Sequence, residues 1–254
     1  MIRVSILVIG LFLTLGVKAQ TFDVGGNMSL NTSWILNQNA YEVLQKVCPE
    51  DPLIIDSEPA YALTMGYSLG AVGNYTSDRF WGVSAELNYT KRGQNYKDSW
   101  IGNGCDRGDI NNFKRKFSLH YLEMPLLVKF KPQTRKKISG YGEVGLQLGI
   151  LMGAKEKISI DGETTGENFG SATDKVKRLD VGMVFGGGVD VNLTNNLYLN
   201  AGLRGYFGFI DINKGDAAVF ISDNDNTYQR SHNFSLGANV SVHYVFDWVG
   251  GMYR

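Results

Sequence analysis

Phe234-Ser235-Leu236-Gly237-Ala238-Asn239-Val240-Ser241-Val242-His243-Tyr244-Val245-Phe246 places a lipid-compatible side chain at every second position, from Phe234 to Phe246. A two-residue period sends the two sets to opposite faces of one β-strand. Seven further stretches repeat the pattern, at 21–32, 60–73, 80–93, 116–131, 138–153, 178–193 and 196–210, and the stretch quoted lies within an eighth strand at 231–247. The connections at 74–79, 132–137 and 194–195 are short and hold turn formers: Asn74, Ser77, Asp78, Pro132, Thr194 and Asn195. Those at 33–59, 94–115, 154–177 and 211–230 are long, polar and rich in Asp, Asn and Gly. Short and long alternate throughout. Outer-membrane barrels with both termini in the periplasm have this rhythm, with tight turns on one side and long loops on the other.

Alternation by itself does not say which face is inside. A soluble lipocalin-type barrel also has eight strands and turns its apolar face inward. An export signal, the loop rhythm and the aromatic end of the last strand favour the membrane form. The predicted fold is therefore all-β: an eight-stranded antiparallel up-and-down transmembrane β-barrel, one domain over 20–254. Its outward sets include Trp81, Val83, Ala85, Leu87 and Tyr89; Val181, Met183, Phe185, Gly187, Val189 and Val191; and Leu197, Leu199, Ala201, Leu203, Gly205, Phe207 and Phe209. Aromatic residues gather near strand ends (Phe80, Trp81, Tyr89, Phe130, Phe246 and Trp248), as in an interfacial girdle.

Residues 1–19 read as a signal peptide: Arg3, an apolar run from Ile6 to Val17, then Val17-Lys18-Ala19 as a cleavage site. The run is short for a helical span, which takes roughly 20 apolar residues. The chain has 25 Lys and Arg against 25 Asp and Glu; without Arg3 and Lys18 the balance is 23 to 25, a net −2. That balance gives no ground for nucleic-acid binding. Glycine is abundant at 31 and proline scarce at 5, which suits long, curved strands.

With the apolar faces outward, charges fall inside. Glu86, Glu123 and Glu143 sit on neighbouring strands, and Arg204 and Tyr206 lie inward on the seventh, with Tyr198 below them. An eight-stranded barrel has room for its own side chains or one small ligand. The expected arrangement is a plug in which Arg204 reaches the Glu wall and tyrosine hydroxyls close the network. Three carboxylates exceed one guanidinium, so a rim lysine, a water cluster or a protonated Glu must balance them. The alternative is an open pore for small solutes. Paired carboxylates also serve acid/base catalysis, but His120, His232 and His243 form no evident triad or metal cluster, and the expectation is neither enzyme nor cofactor. Gly186-Gly187-Gly188 lacks a following helix pattern and reads as room for bulky neighbours or as strand curvature. Pro125 cannot donate to a ladder in a barrel without edges, so either a bulge or a local loss of pairing is expected there.

Cys48 and Cys105 fall in the first two long loops, on one side of the barrel and in an oxidising compartment, so a disulfide is expected. It would close 57 residues and contribute at most about 4 kcal/mol. Asp223-Asn224-Asp225-Asn226 lacks the glycine and distal Glu of a calcium loop. Arg135-Lys136-Lys137 reads as a solvated basic turn.

Leu119-His120-Tyr121-Leu122-Glu123-Met124-Pro125-Leu126-Leu127-Val128-Lys129-Phe130 resembles the strand signature of the PorT-like outer-membrane barrels of Bacteroidota. Asp180-Val181-Gly182 with Gly186 to Asp190, and Leu203-Arg204-Gly205-Tyr206 running to Asp211-Ile212, resemble that family's other recurring segments. The resemblance implies an eight-stranded barrel in the cell outer membrane, surrounded by outer-membrane lipid. It also implies a role near type IX protein secretion, in which the family's namesake takes part, with envelope or secretion-machinery proteins as partners. The expected function is that of a structural or interaction protein with a plugged lumen.

Overall fold

The structure, a computed structural model, describes residues 21–36, 60–77, 80–98, 101–102, 109–110, 113–131, 137–160, 163–165, 172–214 and 230–246. The expected export signal, Cys48, Cys105, the Asp223–Asn226 stretch and Trp248 lie outside them.

Eight long strands form the molecule: β1 (Thr21–Leu36), β2 (Met65–Thr76), β3 (Trp81–Asp98), β4 (Phe113–Phe130), β5 (Ile138–Ile160), β6 (Leu179–Asn192), β7 (Leu197–Gly208) and β8 (His232–Phe246). Each pairs antiparallel with its neighbours in chain order. β1 also pairs with β8, so Phe22 stands opposite both Tyr75 and Phe246, and the ring closes. Closure removes the sheet edges, which would otherwise expose unpaired backbone groups to hydrocarbon.

The two faces settle which way the ring is turned. Leu203 is 70% exposed, Leu69 64% and Leu126 61%, whereas Glu86, Glu123 and Glu143 are 7%, 4% and 4% exposed. Apolar outside and charged inside is the inverse of a lipocalin and the pattern of a barrel in lipid.

Two features depart from the expected boundaries, and a third decides between two expected alternatives. First, β3, β4 and β5 extend beyond the strands read at 80–93, 116–131 and 138–153, reaching Asp98, starting at Phe113 and reaching Ile160. Their ladders continue, but their outer faces there carry lysine rather than apolar residues, so they read as loop. These three strands form a wall taller than the rest. Second, the strand read at 60–73 is interrupted. Ala60–Ala62 pairs with β3, and the strand is interrupted at Leu63 and Thr64 before β2 begins. Thr64 Oγ1 accepts from Asn95 N at 2.7 Å, and its carbonyl accepts from Ser33 N at 3.2 Å. Third, Pro125 causes a local loss of pairing without a bulge. Between Ala85↔Leu126 and Asn88↔Glu123 the β3–β4 ladder has no partners, yet the register is unchanged.

The bulge lies elsewhere. His120 faces Gly153 and Tyr121 faces Leu151, leaving Met152 as the extra residue of β5. One extra residue reverses the phase of a strand. Leu151 points inward before the bulge; Ala154 and Glu156 do so after it.

At the long-loop mouth the interior turns apolar. Ile35, Phe117, Leu119, Tyr121, Leu151 and Ala154 pack with Ala172, Val176 and Ile212. The 172–178 segment, with its 3₁₀ turn at Thr173–Lys175, thus folds across this mouth as a lid. Leu151 N donates to Arg178 O and Ala172 N to Ala154 O, tying the lid to β5, and Lys177 N donates to Ile212 O.

Candidate functional site

The inward faces stack as layers of side chains from the short-turn end to the long-loop mouth. In the middle layer Arg204 forms a fork on Glu86, with Nη1 to Oε2 at 2.8 Å and Nη2 to Oε1 at 2.9 Å. Its Nε donates to Glu143 Oε1 at 2.8 Å. Bidentate charge-assisted bonds are the strong, directional kind. Asn27 and Asn88 donate to Glu86 from the sides, and Lys129 Nζ stands 3.7 Å from Glu143. This lysine supplies the balancing charge that the acid excess requires.

Gly186 explains how Arg204 and Glu143 meet. Arg204 lies opposite Gly186 on β6, and Gly186 lies opposite Glu143 on β5. With no side chain between them, the two residues close over the glycine. A Cβ there would sit 3.2 Å from Glu143 Oε1 and 2.6 Å from the Leu203 carbonyl oxygen. The same device recurs: Gly70 and Gly66 seat Asn88 and Asn31, Gly182 seats Tyr206, and Gly202 seats Tyr141.

Two of the expected contacts are different. Glu123 does not bind Arg204; it pairs with Arg92 at 2.9 Å and accepts from Thr90 Oγ1 at 2.8 Å. Arg92 lies with its guanidinium 3.9 Å above the Tyr206 ring, so Tyr206 joins the lumen network through its ring face. The reason is position: Arg92 stands above Arg204's layer and is the nearer cation to Glu123. Sequence reasoning passed over Arg92, although it has the inward parity of Glu86, Asn88 and Thr90. Tyr198 does not join the Arg204 layer either. It stacks on His243, centroids 4.5 Å apart and planes within 3°, and its hydroxyl accepts from Asn74 at 3.2 Å.

That lower layer holds an arrangement the sequence did not reveal. Ser241 Oγ lies 2.7 Å from His243 Nε2, and His243 Nδ1 lies 2.9 Å from Asp23 Oδ1. The order is that of a Ser-His-Asp relay. The surroundings differ from a nucleophile's: Ser241, His243 and Asp23 are 6%, 1% and 2% exposed. The backbone there is paired in the β1–β8 and β7–β8 ladders. Asn74 also donates to Asp23, at 2.7 Å. The cluster holds the short-turn end shut, next to Lys131–Asp190 (3.4 Å) and the Asn200–Asp190 bond (2.8 Å).

Nearer the mouth, Asn233 donates to Asp180 at 2.7 Å, and Glu156 accepts from both Arg115 and Lys175 at 2.7 Å. The second of these bonds ties the lid to the wall. Gaps of about 10, 20 and 50 Å³ remain between the layers. A water needs about 10–15 Å³ of such room, so each gap has space for one to a few waters. Among the described residues no group of three or more His, Cys, Asp or Glu is placed to hold a metal.

His120 lies on the outer face, where Tyr89 Oη and His120 Nδ1 are 2.7 Å apart. His232 stacks on Phe207 at the rim, and its Nδ1 is 3.1 Å from Gly208 O.

Among solved structures the chain is similar to Neisserial surface protein A: 14% identity, 89% of this chain and 99% of that one, TM-score 0.42. It is similar to OprG from Pseudomonas aeruginosa: 14% identity, 91% and 98% covered, TM-score 0.42. A major outer membrane protein of Thermus thermophilus aligns at 13% identity, over 90% and 100% of the two chains, with a TM-score of 0.47. No curated protein matches the chain. The outer membrane protein beta-barrel domain family matches residues 14–214. A closed ring, apolar without and charged within, together with that match over most of its length, makes this chain a member of the outer membrane protein beta-barrel domain family.

Proposed function

We propose that this outer-membrane barrel is a non-conducting structural or interaction protein, without catalytic activity, which presents its long-loop end and its short turns to partners. The observation that carries the reading is the lumen, filled from Asp23 and His243 at one end to the Phe117–Ile212 cluster at the other. A solute pore needs a continuous aqueous path, and the Glu86–Arg204–Glu143 bridge crosses it. Moving a solute past that bridge would part buried ion pairs, at about 3–5 kcal/mol for each partner stranded. The resemblance to PorT-like barrels extends the reading to an accessory of type IX protein secretion. There the export signal delivers the chain, both termini lie in the periplasm, and envelope proteins are the partners.

Two measurements test it. The purified full chain in planar bilayers should give no stable, sizeable single-channel currents; such currents would overturn the plug and establish the small-solute pore. The extracellular protein profile of a strain lacking the gene is compared with its parent and a complemented strain. Loss of a set of secreted proteins, trapped in the periplasm, is the result expected of a secretion accessory. An unchanged profile overturns that role and leaves surface binding or envelope structure.

A further inference from the structure

We propose that the outer face of the tall β3–β4–β5 wall is a binding site for the phosphorylated headgroups of membrane lipid at the long-loop end. Six lysines share this face: Lys91 and Lys97 on β3, Lys114 and Lys116 on β4, Lys155 and Lys157 on β5. The register sets them close together. Lys97 stands directly opposite Lys114, Lys116 opposite Lys157, and Lys91 opposite His120. Directly paired residues on one face of a sheet are about 4.5–5.5 Å apart at Cβ, and like charges so placed are destabilising. Lys116 and Lys155 both act electrostatically on Lys91, and Lys91 and Lys155 on His120. Among the described residues, the other outward positions of these segments are Gly93, Asn95, Ser118, Gly153 and Ser159, none of them acidic.

The bulge at Met152 creates the patch. Without its change of phase, Lys155 and Lys157 would point inward and Glu156 outward. The fold therefore sets like charges side by side on a face turned away from the lumen carboxylates Glu123, Glu143 and Glu156.

The height of the patch selects its occupant. Immediately below it runs an aromatic row, with Tyr67 and Tyr89 rings 6.5 Å apart and Tyr89 and His120 rings 5.9 Å apart. Below that row lie exposed Leu69, Leu87 and Met124. Such a row marks headgroup depth. Lys91 to Lys97 rise along the strand by about 20 Å, and three strands spread over about 10 Å, at about 3.3 Å per residue and 4.8 Å per strand. Phosphates on a lipid headgroup meet this area where the acyl chains meet the apolar belt. The site rests on the reading above only for the leaflet that it faces. Its failure would leave the plugged barrel and the secretion test untouched.

The test titrates the full chain, folded in uncharged detergent micelles, with bisphosphorylated lipid A and with the same glycolipid stripped of phosphate. Bound lipid is read by native mass spectrometry. The phosphorylated form should bind at least tenfold more tightly. Lys91→Gln/Lys116→Gln/Lys155→Gln should lower its affinity by about 100-fold, at roughly 1 kcal/mol per lysine beside an anionic surface. The corresponding triple change to Arg should retain it. Equal binding of the two lipids overturns the proposal, as does full affinity in the glutamine variant. Complete displacement by millimolar inorganic phosphate overturns it in favour of a free-anion site. The comparison of the two lipids on the unaltered chain decides the matter even if the glutamine variant does not fold.

Discussion

Arg204 makes three bonds to two carboxylates, each almost fully buried. Removing one member of a buried ionic set costs more than removing the whole set, because the remainder is left charged and unpaired. Arg204→Met should therefore destabilise the barrel by about 3–5 kcal/mol, measured as a shift in the urea midpoint of folding in micelles. Adding Glu86→Gln and Glu143→Gln to that change should recover most of the loss. A single variant as stable as the parent would mean that Lys129 and interior water satisfy both acids unaided. The seat beneath the pair gives a second prediction. Gly186→Val must displace Glu143 or the Leu203 backbone, whereas Gly26 has nothing nearer than 3.9 Å to an added Cβ. The first change should cost about 1–3 kcal/mol, as overpacking does, and Gly26→Val almost nothing by the same assay. Parity along each strand made Glu86, Glu123, Glu143 and Arg204 legible as inward residues. Which acid meets which cation was not legible, because that depends on the stagger around the ring. The stagger put Arg92, rather than Arg204, beside Glu123 and carried Tyr198 down to His243.

At the level of elements, periodicity located all eight strands because each buries one face and offers the other to hydrocarbon. It missed the upper parts of β3, β4 and β5, where the outer face changes from apolar to lysine and the alternation becomes charged against mixed. The inner face changes as well, from Glu123 and Arg92 to Phe117 and Leu119, because the 172–178 lid packs there. A lid contributed by a long connection leaves no periodic trace in sequence. Pro125 was legible as a disturbance, with loss of pairing as one of its two expected forms; sequence did not choose between them, since a lost ladder segment and a bulge both accommodate a missing donor. Met152 is where these strands depend on a single residue. Deleting it restores the plain register and turns Glu156 away from Arg115 and Lys175. The barrel below should stay folded, migrating differently on a gel before and after heating. The lid should open, and trypsin should cut after Lys175 or Lys177 at least several-fold faster than in the parent. Equal cleavage rates would show that the lid is held without the bulge.

For the whole molecule, three short connections at one end and long connections with a tall wall at the other make the barrel asymmetric along its axis. Only a few residues separate the strands at 77–80, 131–137 and 193–196, whereas β3 to β5 rise past the apolar belt at the opposite end. Two forces act on insertion. The short turns need little polar backbone carried across hydrocarbon, where each unsatisfied group costs several kcal/mol. The lysine face of the wall is stable only where anionic headgroups or water meet it. The first of these supports the proposed orientation, with the turns in the periplasm and the wall outside. In a Cys48→Ser/Cys105→Ser background, a cysteine replacing Asn195 in a turn should resist a membrane-impermeant maleimide on intact cells and react after outer-membrane permeabilisation. A cysteine replacing Lys97 at the top of the wall should react in both. The reverse pattern would put the long-loop end in the periplasm and with it the lysine face and the lid, so that partners presented there would be periplasmic.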